Sequence, residues 1–140
     1  MQIHASCVAR AGRGVLLLGP PGAGKSDLAL RLIDRGFELV ADDRVEIDGL
    51  TATAPAGLAG LIEVRGLGIL RLPALAKAAL ALAVELREEV PRMPEPARLA
   101  TPDLPLITLD PRGASAALRV ALALECLAGN AGMLSGAFVP

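Results

Sequence analysis

Apolar and polar residues change period several times along the chain, and each change marks an element. Residues 2–10, QIHASCVAR, alternate in part, with Ile3, Ala5, Cys7 and Val8 set against Gln2, His4 and Ser6, which predicts a strand. AGRG at 11–14 supplies a hairpin turn, and VLLLG at 15–19 reads as a fully buried strand. In KSDLALRLIDR at 25–35 the period lengthens to that of a helix, with Leu28, Ala29, Leu32 and Ile33 on one face. Asp27, Arg31, Asp34 and Arg35 take the other face, and Gly36 is the expected stop. FELVA at 37–41 and RVEID at 44–48 read as strands around Asp42-Asp43, and a Gly, Thr, Ala and Pro-rich loop follows at 49–60.

The second half is less regular. LIEVRGLGIL at 61–70 is two short apolar pieces around a Gly-Leu-Gly turn. AALALAVELR at 78–87 has helix-favouring composition, but Leu80, Leu82, Val84 and Leu86 recur with period two. Periodicity outweighs propensity over such a window, so a strand is predicted. The proline-rich residues 90–105 read as a surface excursion, LITLD at 106–110 as the last strand, and 114–128 as a helix. That helix is apolar nearly all round, with Arg119 and Glu125 its only charges, so it must be buried in the domain or in a subunit interface. Residues 129–140 read as a Gly-rich, mobile tail, and the 140 residues as one domain.

Composition narrows the function classes. Hydrophobic residues make up 53% of the chain, but there are only two Phe and no Trp or Tyr, so the core must be aliphatic. A net charge of −1, without a basic run, carries no nucleic-acid signature. Cys7 and Cys126 are far apart and suggest neither a metal site nor a disulfide framework. No apolar run approaches the roughly 20 residues of a membrane span, and the amino terminus lacks a signal-peptide pattern. A soluble cytoplasmic location, away from membranes, is expected.

The chemistry starts at Gly19-Pro20-Pro21-Gly22-Ala23-Gly24-Lys25-Ser26, which matches GxxxxGK[ST] in full between a buried strand and an amphipathic helix. Such a loop turns backbone N–H groups inward around an anion and needs glycine where a side chain would collide. Lys25 offers a charge to the β and γ phosphates of ATP, and Ser26 a hydroxyl to Mg²⁺. A phosphoryl transfer also needs an acid near the metal and a base for the acceptor. Asp42-Asp43 ends the strand after the loop's helix, where an open α/β sheet places its ligand crevice, and only one of the two is expected to face the γ-phosphate. Glu63 and Arg65 alternate along LIEVRG and can project into one site, or form a surface pair. His4, the single histidine, sits on a strand near the start, and a lone histidine is more often a packed or exposed residue than a catalytic one.

Together these residues resemble the bacterial HPr kinase/phosphorylase family. LVADD at 39–43, 18 residues beyond the loop lysine, and LIEVRGLGIL are similar to that family's VADD and LEIRGLGI, and QIHASCVA fits its pattern upstream of the loop. The resemblance covers nearly the whole chain, as a single catalytic domain. It implies an α/β fold, a P-loop kinase core with a mixed sheet related to phosphoenolpyruvate carboxykinase, and assembly as a hexamer. It implies phosphorylation of a serine of the phosphocarrier HPr by ATP and Mg²⁺, and removal of that phosphate by phosphorolysis. By the same resemblance Asp43 is the base, His4, Lys25 and Arg65 are active-site residues, and Ser26 and Glu63 are Mg²⁺ ligands.

The chain departs from the family at Pro20-Pro21, at Asp27, and at LDPRGAS (109–115), which offers only Arg112 against a PVRPGR-like segment tied to dephosphorylation. Phosphorolysis is therefore less firmly implied than the kinase reaction. Arg92 in VPRMPEP is the best match for an arginine between the late strands. Two other readings stay open at this point: a small-molecule P-loop kinase, and a nucleotide-binding sensor without catalysis.

Overall fold

A computed structural model of the chain describes residues 1–140. Its centre is β9 (Ala78–Leu86), which pairs in parallel with β3 (Arg13–Leu18) along one edge. The other edge of β9 is shared: β6 (Thr51–Thr53) pairs antiparallel with its start, and β11 (Leu104–Leu109) runs parallel to its end. Beyond β3 lie β2 (Ser6–Arg10) and β4 (Glu38–Ala41), and beyond β6 lie β5 (Arg44–Asp48) and β1 (Gln2–His4). With β10 (Ala97–Leu99) paired to β11, these make one mixed sheet of nine strands. A separate hairpin, β7 (Leu61–Val64) and β8 (Gly68–Arg71), stands beside it.

The sheet is buried on both faces. One face packs against α1 (Lys25–Asp34) and α2 (Ala116–Leu127) through Val15, Leu17, Leu82 and Val84, meeting Leu28 and Leu32 of α1 and Val120 and Leu124 of α2. The other face holds Cys7, Leu16, Val40, Val45, Leu80 and Leu104. Burial pushes the Cys7 thiol up to about 12, so it stays protonated and packs as a small hydrophobe. The aliphatic core follows from the composition, and no helix is long and apolar enough to cross a membrane.

The strand read at 78–87 is present, but its leucines do not share a face. Leu80 pairs with Gly14 and Leu82 with Val15, so Ala81 is an extra residue, and the bulge sends Leu80 to the face opposite Leu82, Val84 and Leu86. One inserted residue reverses the alternation beyond it. Gly14 makes room, since a Cβ there would lie 3.1 Å from Leu80 Cδ2.

Elsewhere the differences are local. Residues 2–10 form two strands broken at Ala5, because β1 turns away to pair with β5 while β2 stays between β3 and β4. The loop at 49–60 contains β6, and the proline-rich excursion contains β10. α2 is buried along one face only, leaving Leu118 and Leu122 exposed on the other. Residues 129–140 make contacts of their own: Gly136 and Val139 exchange backbone hydrogen bonds, and Phe138 packs against the helical side of the core.

Leu17 sits in a central strand with no exposed surface. Leu17→Ala is expected to cost about 2–5 kcal/mol, seen as a lower denaturant midpoint at unchanged slope.

Candidate functional site: a phosphate cradle between β3 and α1

The loop Gly19–Ser26 leaves the end of β3 and enters α1. Ala23 N–H donates to the Pro20 carbonyl at 3.0 Å, closing a turn with Pro21 and Gly22 at its centre. Proline presets the second position of such a turn, and Gly22, at φ +83°, supplies the left-handed third. The two prolines therefore fit the loop and leave its glycines free. Gly24 caps α1 in a left-handed conformation at φ +104°. Gly19 permits a close approach, since a Cβ there would lie 2.9 Å from the Ala23 Cβ. Lys25 folds back across the loop, its Nζ donating to the Gly19 carbonyl at 2.6 Å and the Pro20 carbonyl at 3.1 Å. That holds an ammonium over the turn, beside the positive end of α1.

Beside the loop is a cavity of about 470 Å³ whose lining includes Lys25, Ser26, Asp43, Glu63 and Arg65, along with Asp27 and Leu30 of α1. The structure thus brings together five residues that the sequence had singled out from three separate segments. Glu63 and Arg65, both exposed, arrive because β7 and the turn that follows it run past α1 and line the opening. Two carboxylates, Asp43 and Glu63, lining one cavity with Lys25 and Arg65 suit a phosphate carried with a divalent cation better than a bare anion.

The two acids of the VADD segment divide the work. Asp42 Oδ1 accepts from Ser26 Oγ at 2.8 Å and from Ser6 Oγ at 2.7 Å. Asp43 instead lines the cavity with its side chain 73% exposed. Its backbone is left-handed, φ +67°, a conformation that Asp tolerates better than most residues. Arg44 N–H donates to the Asp42 carbonyl at 2.8 Å and Ala5 N–H to the Asp43 carbonyl at 3.2 Å, and both bonds hold the turn.

His4 and Arg92 are not brought into the cavity. His4 is exposed at the end of β1, opposite Arg44, one residue before the Ala5 that bonds Asp43. Arg92 is exposed in the excursion before β10. The sequence pattern alone gives Asp42 no separate role and shows its partner Ser6 only as one polar position of a strand. The segment itself was visible, but which acid meets Ser26 depends on the left-handed turn at 43.

A second cavity, of about 700 Å³, lies across the loop between Pro20 and Arg112. Arg31, Arg87 and Arg112 line it with Asp27, Glu85, Glu88 and Asp110, so its charges are largely paired. Hydrogen bonds from Arg112 hold the Asp110 carboxyl below its ordinary range. Arg31 donates to the Pro111 carbonyl, and Pro111 packs 3.4 Å from where a Gly24 Cβ would be. The segment 110–113 is thereby fixed against the loop.

The cradle suits a nucleotide with Mg²⁺. No cluster of three or more His, Cys, Asp or Glu forms a metal cage. Mg²⁺ bound at nucleotides takes one or two protein oxygens and completes its shell with phosphate and water, and Ser26, backed by Asp42 and facing Glu63, offers such a partial set.

Residues 1–86 match the sequence profile described as the HPr serine kinase C-terminal domain, which is more than half of the chain. The chain belongs to that family. The matched residues include the whole cradle, Asp43, Glu63 and Arg65, and end before Arg92. Over 78 residues the chain is 50% identical to the HPr kinase/phosphorylase of Clostridium novyi (strain NT), covering 53% of this chain and 25% of that protein. Over 111 residues it is 41% identical to the HPr kinase/phosphorylase of Aromatoleum aromaticum, covering 71% and 36%. The chain thus matches about a quarter to a third of the length of these relatives. Among solved structures, the HPr(Ser) kinase/phosphatase of Coxiella burnetii superposes with a TM-score of 0.72 at 26% identity, covering 93% of this chain and 89% of that one. A mixed α/β fold of the HPr kinase type follows.

The left-handed turn gives a stability test. Asp43→Gly should match or exceed the wild type, while Asp43→Val should be less stable by about 1–2 kcal/mol, since a β-branched residue resists that backbone. Equal stabilities for Gly and Val in chemical denaturation would contradict the turn.

Proposed function

We propose that the chain is the catalytic domain of an ATP- and Mg²⁺-dependent protein kinase that phosphorylates a serine of HPr or an HPr-like phosphocarrier. It would be built on a P-loop kinase core of the phosphoenolpyruvate carboxykinase type. The observation carrying this reading is the cavity shared by Lys25, Ser26, Asp43 and Glu63. The names of the family and of its relatives support the choice of acceptor.

In this reading, the Gly19–Ser26 loop takes the β and γ phosphates on its backbone N–H groups and on Lys25. Ser26 and Glu63 would hold Mg²⁺, which would supply charge neutralisation on the phosphates. Asp43 faces the entering serine. As the serine oxygen bonds to the γ-phosphorus, the bond from that phosphorus to the β–γ bridging oxygen breaks and ADP leaves. Asp43 takes the hydroxyl proton, and Lys25 and Arg65 stabilise charge on the equatorial oxygens. In phosphorolysis the same carboxyl would work in the other direction. An oxygen of inorganic phosphate bonds to the phosphoserine phosphorus as the bond from that phosphorus to the serine oxygen breaks. Asp43 passes the proton given up by the inorganic phosphate to the serine oxygen, and pyrophosphate leaves. His4, at the strand end beside residue 43, and Arg92 enter this scheme only by family resemblance.

The same reading places the protein in the cytoplasm as a homo-oligomer, a hexamer by that resemblance. Leu118 and Leu122 on α2 are apolar surface available for assembly.

The test is incubation with Mg²⁺, ATP and purified HPr, followed by mapping of the phosphate. Wild type should place one phosphate on a serine. Asp43→Asn should retain ATP affinity within a few-fold while transfer falls about 10²–10⁴-fold, the usual worth of a positioned base. Transfer to a small molecule instead, or nucleotide binding without transfer by the wild type, would refute the proposal.

A further inference from the structure

Ser6 is the single polar residue among the fully buried ones, with no exposed surface. A buried hydroxyl is costly unless it is hydrogen-bonded, so its partner indicates what it is for. That partner is Asp42, 2.7 Å away and 36 residues along the chain. The same carboxylate oxygen accepts from Ser26 Oγ at 2.8 Å. Two hydroxyl donors thus converge on Asp42 Oδ1, one from the sheet interior and one from the phosphate loop.

The arrangement fixes the direction of the Ser26 proton. With its hydrogen committed to Asp42, Ser26 Oγ keeps its lone pairs for the cavity. Asp42 is itself only partly buried and follows a strand end, so its carboxylate needs an anchor to hold this orientation. Ser6 is that anchor, and its backbone is fixed in β2 opposite Leu17.

We propose that Ser6 is a positioning residue for cation binding: through Asp42 it orients the Ser26 hydroxyl as a ligand for the divalent metal carried by the nucleotide. This rests on the reading that a nucleotide and its metal occupy the cradle. Partners one step behind a metal ligand set its orientation and basicity, and losing one typically weakens metal affinity 10–100-fold.

The experiment is a titration of Mn²⁺, as a paramagnetic probe, into the whole chain with saturating ADP, reading free Mn²⁺ by electron paramagnetic resonance. Ser6→Ala should weaken Mn²⁺ binding by about tenfold while metal-free ADP affinity stays within twofold. Ser6→Cys, which fills the same space with a weaker donor, should fall between wild type and Ser6→Ala. Thermal unfolding of each variant is recorded alongside, because a merely structural serine would lower the melting temperature and leave the Mn²⁺ constant unmoved. Wild-type Mn²⁺ affinity in Ser6→Ala, or in Ser6→Cys if the alanine variant does not fold, overturns the role of Ser6 and leaves the proposed kinase function standing. No Mn²⁺ binding by the wild type with ADP overturns both.

Discussion

Two adjacent carboxylates can serve one cradle here because the backbone turns left-handed between β4 and β5. In an extended strand Asp42 and Asp43 would point to opposite faces, and one would be lost to the site. At φ +67° residue 43 instead lines the cavity, while residue 42 reaches the Ser26 hydroxyl. Non-glycine residues held in this region cost free energy, and such strain gathers at functional sites. The surrounding bonds, from Ala5 to the Asp43 carbonyl and from Arg44 to the Asp42 carbonyl, are what hold it.

The rest of the molecule positions that turn against the loop. β3 delivers the loop and β4 delivers the two acids, and β2 lies between them, paired to both. Ser6, which starts β2, and Ala5 just before it therefore sit where they can touch Asp42 and Asp43. The hairpin β7–β8 closes the far side with Glu63 and Arg65. A stable aliphatic core under these strands allows the site to keep one buried hydroxyl and one strained residue.

Much of this was legible in the chain. The loop, its helix and the flanking buried strand follow from glycine placement and a change of period between residues 15 and 35, and the structure puts them there. Position and resemblance single out Asp43, Glu63 and Arg65, and these line one cavity with the loop. What escaped depends on long-range pairing. β6 and β10, three residues each, are too short to show a period and exist because β9 and β11 offer them an edge. The bulge at Ala81 looks like unbroken alternation until β3 is laid beside it. Ser6 reads as an ordinary polar position until β4 brings Asp42 across to it.

The most direct measurement is a crystal structure of the domain with Mg²⁺, ADP and a γ-phosphoryl mimic such as aluminium fluoride. The Asp43 carboxylate should lie within about 2.6–3.2 Å of the apical oxygen in line with the bridging oxygen of ADP, the reach of a general base. An Asp43 side chain turned to solvent, with another group holding that oxygen, would contradict the central claim.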